Sequence, residues 1–292
     1  MLRLKTTVTV LFLLTSFLAL AQSDSEIYEL GGIDYTFLGK GKSKQSGDIS
    51  YAKTDFRVSL PVSLKGDKSF LFHNLNYSKT NIGYGQIPNI NTEIENFHTI
   101  GYTIGYLRSL KREWNLTATL SPSISSNFKS GLKMKKIQIY GMLLFSKAIN
   151  RKNNFILNLG VVSSPSLGVI PIVSGQWNPN QKWTISLGLP ELNIQYKAST
   201  KTTVGTNLFI DGDEFSFSND ALYKNKKVDK LNILNMGTAV YLKQKISKSI
   251  HLSFNTGYTF YREFEFGKGN HKVLAFDLED SLFIKAGLSI DI

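Results

Sequence analysis

Apolar and polar residues alternate along most of this chain. From Ser281 to Ile292 one register carries Leu282, Ile284, Ala286, Leu288, Ile290 and Ile292, and the other carries Phe283, Lys285, Gly287, Ser289 and Asp291. A two-residue period is that of a strand whose faces meet different surroundings. The period recurs upstream, where Ala52, Thr54, Phe56, Val58, Leu60, Val62 and Leu64 alternate with Lys53, Asp55, Arg57, Ser59 and Ser63. Trp114 to Pro122, Leu192 to Ala198 and Ile250 to Phe260 behave likewise, Phe70 to Tyr77 more loosely, and no segment shows a helical period.

Polar links separate these segments. Tight turns fall at Lys65 to Lys68, Lys111 to Glu113, Asn150 to Asn154, Asn178 to Lys182, Ser199 to Lys201 and Ser247 to Ser249. Longer links run from Gly39 to Ile49, Lys79 to Ile94, Ser125 to Lys133, Asp211 to Lys230 and Phe264 to Asp280, with two short ones near Pro165 and Pro190. Tight turns at one end and longer loops at the other are the arrangement of an outer-membrane barrel, with its short turns in the periplasm. The expected fold is therefore all-β: a transmembrane antiparallel up-and-down β-barrel of about fourteen strands. Twelve is the alternative, because the strands between Phe155 and Ala198 are short. The terminal strand is expected to seal against the first, since an open edge cannot persist in hydrocarbon. Trp114, Trp177 and Trp183 all sit on the apolar register beside tight turns. Indole prefers the headgroup level, so they are candidate membrane-interface aromatics.

The first residues form a separate unit. Arg3 and Lys5 precede an apolar run from Val8 to Leu20, and Ala19-Leu20-Ala21 supplies small residues for a signal peptidase. Residues 1–21 are read as a signal peptide and 22–292 as one barrel domain of an exported protein. With 42% hydrophobic residues and no other long apolar stretch, a helical membrane protein is excluded. The absence of cysteine excludes a disulfide scaffold and a thiolate metal site. Without Arg3 and Lys5 there are 32 basic and 22 acidic residues, a basic balance with no nucleic-acid reader motif beside it.

Little in the chain suggests reaction chemistry. Gly41-Lys42-Ser43 resembles the end of a phosphate loop, but Thr36 stands where that motif needs glycine. His251 and Ser253, two apart with Asn255 on the same face, resemble the spacing of outer-membrane phospholipases. The asparagine-glycine-arginine context of that family is missing, and the pair lies on the polar register rather than facing lipid. His73, His98 and His271 form no metal spacing. Asp211, Asp213, Glu214 and Asp220 would begin an outer loop as a solvated acidic cluster, or as oxygen ligands for calcium or for cations bridging lipopolysaccharide. No cofactor or resident metal is expected.

Ser121-Pro122-Ser123-Ile124-Ser125-Ser126-Asn127-Phe128 is one distinctive piece. A second runs from Gly168-Val169-Ile170-Pro171-Ile172 through Lys182-Trp183 to Gly188-Leu189-Pro190 and Tyr196. Both resemble a family of Bacteroidota outer-membrane barrels catalogued as domain of unknown function 6268, which implies a barrel and is silent about activity. The chain ends on Ile292, where many barrels end on an aromatic residue.

The inward register carries Lys53, Asp55, Arg57, Lys197, Lys243, Lys245 and Lys285, with Asp291. These are candidate lumen-lining residues, and their sign suggests a porin-like channel for small, anionic solutes. The alternatives are a structural or adhesive barrel that does not transport, and a lipid hydrolase. Expected partners are outer-membrane lipid, lipopolysaccharide and the barrel-assembly machinery of a Gram-negative cell, and not nucleic acid. N-terminal sequencing of the membrane-extracted protein should recover Gln22 first; recovery of Met1, or a soluble periplasmic location, would contradict export to the outer membrane.

Overall fold

The computed structural model describes residues 29–43, 47–64, 69–85, 94–129, 136–150, 154–164, 168–189, 192–223, 226–269 and 271–291. The expected signal peptide, the turn at 65–68 and the links at Pro165 and Pro190 lie outside them.

The described residues form fifteen antiparallel strands in one sheet. These are β1 (Glu29–Ser43), β2 (Gly47–Ser63), β3 (Ser69–Gly85), β4 (Asn96–Ser109), β5 (Trp114–Ser126), β6 (Gln138–Asn150), β7 (Phe155–Ser164) and β8 (Gly168–Trp177). They continue as β9 (Trp183–Leu189), β10 (Leu192–Lys197), β11 (Thr202–Tyr223), β12 (Lys226–Lys245), β13 (Ile250–Lys268), β14 (His271–Asp277) and β15 (Leu282–Asp291). Each strand from β1 to β13 pairs with the next, β13 pairs with β15, and β15 closes on β1 from Glu29↔Asp291 to Leu38↔Phe283. The wall is thus a closed ring of fourteen strands. β14 is an additional segment, pairing with the upper half of β13 from Glu263 to Lys268, while β15 takes its lower half from Ile250 to Tyr258.

Fourteen rather than twelve holds because β7 to β10 are all present, though β9 has only 7 residues and β10 only 6. The long links are the point of difference. β11 runs to Tyr223 and β12 starts at Lys226, so most of the span from Asp211 to Lys230 is ladder rather than loop. The spans from Gly39 to Ile49 and from Phe264 to Asp280 are likewise largely strand. Polar residues on both faces masked these extensions: above the membrane a strand no longer needs an apolar outer register.

Outward residues form an apolar belt. Val58, Leu60, Val169, Val173, Val240 and Tyr258 are each more than half exposed. A surface like this is stable against hydrocarbon, not water, and closure satisfies the backbone without an edge. The protein is an outer-membrane β-barrel. Trp177 and Trp183 are exposed on this belt beside the 178–182 turn, and Trp183 lies 4.8 Å from Tyr196. Trp114 stands at the same end, with Lys147 Nζ 5.3 Å from its ring.

An epitope inserted after Gly269, which turns at φ +57° between β13 and β14, should be reached by antibody on intact cells, whereas one at Pro179 should not. Equal access at both sites would reverse the orientation.

Candidate functional site

The interior is defined by contacts between strands that are not neighbours in the wall. Lys53 on β2 and Asp213 on β11 are separated by four strands of the ring, yet Lys53 Nζ lies 3.0 Å from Asp213 Oδ1. That contact can only cross the inside. Tyr51 donates its hydroxyl to the same carboxylate at 2.6 Å, and Asp55 lies 3.7 Å from Lys53. A second group sits closer to the short turns, where Arg57 pairs with both Glu29 and Asp34, and Lys285 stands 3.6 Å from Asp34. Gly287 makes room for it, since a Cβ there would fall 2.0 Å from Asp34 Oδ1.

Each predicted lining residue can now be placed. Lys53, Asp55, Arg57 and Lys285 belong to these two groups. Lys197, Lys243 and Lys245 stand toward the short-turn end, with Lys243 Nζ 5.6 Å from the Tyr241 ring. Much of the expected positive charge meets carboxylates: Lys53 lies against Asp55 and Asp213, Arg57 against Glu29 and Asp34, and Lys285 against Asp34. Asp211 and Asp213 were missed because they were assigned to a loop. Alternation carried past Phe209 would have found them.

The acidic cluster is therefore not a loop site. Asp213 is taken by Tyr51 and Lys53, and Glu214 accepts from Gln138 at 2.8 Å and lies 4.0 Å from Lys230. The side chain of Asp220 lies outside the described residues. No grouping of acidic or histidine side chains among the described residues could hold a metal ion. His251 and Ser253 do not make a triad. His251 Nδ1 is 2.7 Å from Asp291, but its Nε2 is buried without a hydrogen-bond partner, so no serine hydroxyl is positioned to give up its proton.

Toward the outer end the interior changes character. Phe97 stacks on Phe215 at 4.4 Å, Phe209 on Phe283 at 4.1 Å, and Leu38 and Phe264 are fully buried with them. This is a packed apolar core on the inward register, filling the space bounded by β1 to β4 and β11 to β13. Its cause is β11. After pairing with β10 as far as Leu208, β11 leaves that strand and crosses to β5, where Ser216 pairs with Ser126 in parallel. The upper ring is narrowed, and the arc from β6 to β10 is left outside it. Glu214, on the far face of β11, reaches Gln138 at the top of β6, so that face looks onto the inner side of the arc. There Met142, Leu144, Val162 and Ile172 form a second buried apolar cluster.

The model of a family described as a domain of unknown function, DUF6268, matches residues 19–291. No curated protein matches. Among solved structures, the KdgM porin is similar over 89% of this chain and 99% of its own, with 10% identity and a TM-score of 0.39. The COG4313 outer membrane channel from Pseudomonas putida F1 is similar over 93% and 100%, with 10% identity and a TM-score of 0.46. The P. putida toluene transporter TodX is similar over 93% and 90%, with 10% identity and a TM-score of 0.42. Likeness at this level is that of one barrel to another and says nothing of cargo.

Removing one partner of a buried pair leaves the other charge uncompensated, at a cost of about 3–5 kcal/mol. Lys53→Met should therefore sharply lower the urea midpoint of the refolded barrel, and Lys53→Met with Asp213→Leu should recover most of the loss. Equal destabilisation by the single and double variants would show that the cross-barrel pair contributes nothing.

Proposed function

We propose that the chain, which belongs to the DUF6268 family, is a passive outer-membrane channel for small solutes. The observation that supports this most is the polar interior of the short-turn half. Arg57 and Glu29 keep 27% of their side-chain surface there, and Lys243 is exposed, although all three belong to a wall whose other face is apolar. A barrel of fourteen strands is too wide for these side chains alone to fill. Water and small solutes entering from the short-turn mouth would meet the balanced Arg57 and Lys53 groups before the apolar core. The channel's selectivity is weak, because Lys53, Arg57 and Lys285 are each paired with carboxylates.

The apolar core above the Lys53 group supports a second reading, a barrel that carries no solute. Catalysis is the least supported, because the imidazole of His251 has no nucleophile bonded to it.

Planar-bilayer recording separates the readings. The wild-type protein should show discrete conductance with a reversal potential near zero in a salt gradient. Lys243→Glu with Lys245→Glu replaces two positive charges at the mouth with two negative ones, a net change of four units, and should shift the reversal potential toward cations. The shift should be largest at low salt, where the screening length reaches about 30 Å at 0.01 M. Absence of conductance from heat-modifiable, folded protein would favour the barrel that carries no solute. Unchanged selectivity in the double variant would remove Lys243 and Lys245 from the solute path.

A further inference from the structure

Between β9 and β13 the lipid-facing side of the wall is dented. One row of outward residues runs Trp183, Tyr196, Val204, Leu242 and Phe254 across the five strands, and the row above it runs through Ile194, Thr206, Val240 and Thr256. Bulky rings stand at both ends of the lower row, while Val204, Thr206 and Thr256 are small, so a groove of about 550 Å³ is left between them. It offers a ligand little but hydrocarbon, since the Thr206 hydroxyl already donates to the carbonyl of Ala239 at 3.0 Å. Strands rise about 3.3 Å per residue at a tilt of about 40°, which puts Thr206 roughly 10 Å above Thr202 at the foot of β11. The apolar band of an outer membrane is about 25 Å tall, so the groove lies in its periplasmic half.

The wall beneath the groove is basic. The stretches 177–189, 192–210 and 237–261, which build this sector, contain six lysines and no acidic residue. Three of these, Lys182, Lys201 and Lys248, are exposed in the turns that join β8 to β9, β10 to β11 and β12 to β13. Each turn is braced from within, by Asn180 Oδ1 accepting from the backbone of Lys182, Ser199 Oγ from that of Lys201, and Ser247 Oγ from that of Ser249. Just above them, on the lipid side, Thr202 donates to Gln244 Oε1 at 2.8 Å. The Trp183 and Tyr196 rings, 4.8 Å apart, belong at the headgroup level.

We propose that this sector binds an anionic glycerophospholipid of the periplasmic leaflet, with one acyl chain in the groove and the phosphate among Lys182, Lys201 and Lys248. Neither half selects a ligand by itself. An acyl chain gains little by leaving its neighbours for the groove, because lipid tails are as apolar as the lining. A turn lysine attracts any anion. Together they demand an anion and a chain at a fixed separation, which is the anatomy of a lipid and of no soluble solute. A glycolipid of the opposite leaflet would bring its phosphate to the wrong end of the groove. A second copy packed here by two-fold symmetry would set the two basic rims against each other. The site is on the outer face of the wall, so it does not depend on whether the lumen conducts.

Trp114→Phe with Trp177→Phe leaves Trp183, on the groove wall, as the single tryptophan. This protein is folded into phosphatidylcholine vesicles in which a small share of the lipid carries bromine on its acyl chains, as phosphatidylcholine or as phosphatidylglycerol, and quenching of the indole is measured. Phosphatidylglycerol should quench at a mole fraction about a hundredfold lower, about fivefold for each of three lysines beside an anionic lipid. Adding Lys182→Gln, Lys201→Gln or Lys248→Gln should each remove about fivefold of that preference, and 1 M salt, where the screening length is about 3 Å, should remove most of it. Val204→Phe, which fills the groove and leaves the lysines in place, should also abolish it. Leu60→Trp, with all three native tryptophans changed to phenylalanine, puts the reporter on the lipid face of β2 and should show no preference. Gel mobility before and after heating confirms that each variant is folded. Equal quenching by the two lipids at Trp183, a preference that survives loss of all three lysines, or the same preference at position 60 would overturn the site. Quenching by neither lipid, with a sedimentation mass of two chains, would overturn it in favour of a second copy.

Discussion

A peptide group in hydrocarbon has no water to bond, so every N–H and C=O in the spanning wall needs a partner within it. The ladder between β1 and β15 supplies the last of these, and the rest of the molecule follows from that closure. Glu29↔Asp291 at one end and Leu38↔Phe283 at the other turn an open sheet into a ring. Above Leu38 the seam is made differently. β14 takes over from β15 along β13, Glu279 donates its backbone N–H to Lys42, and Arg262 donates to the carbonyl of Gly39 at 3.1 Å. The guanidinium fits because Gly41 has no side chain; a Cβ there would lie 2.3 Å from Nη1. The seam is therefore a ladder up to Leu38 and irregular beyond it.

Closure also decides what the interior has to hold. Fourteen strands enclose a space too wide for side chains to fill uniformly, and the protein resolves this differently at its two ends. Toward the short turns the inner face is polar, and Lys53, Arg57 and Lys285 pair with carboxylates across the lumen and between adjacent strands. Toward the outer end β11 folds in to meet β5, and the narrower ring can be packed with Phe97, Phe215, Phe264 and their neighbours. The Lys53 group lies at the boundary and ties β11 to β2 as it leans inward. Inward lean and apolar core are thus one geometric event, and the unequal strand lengths set it up.

The sequence alone determined the class and the handedness of each face. Period-two alternation is a local property, fixed by the geometry of one extended residue after another, so the outward belt, the inward register from Lys53 to Arg57 and the sealing strand from Leu282 to Asp291 could be read without knowing any partner. The turns that space fourteen strands were legible for the same reason. Alternation weakened as a signal only above the membrane, where Asp211, Asp213 and Glu214 looked like loop and are ladder. Tertiary structure decided everything that depends on which strands face each other through the interior. Lys53 and Asp213 stand 160 positions apart, and no local pattern says that they meet or that their charges cancel. Nor does any local pattern say that β11 abandons β10 for β5, because that choice is made by the packing of the closed ring and by the space the short strands β7 to β10 leave beside it.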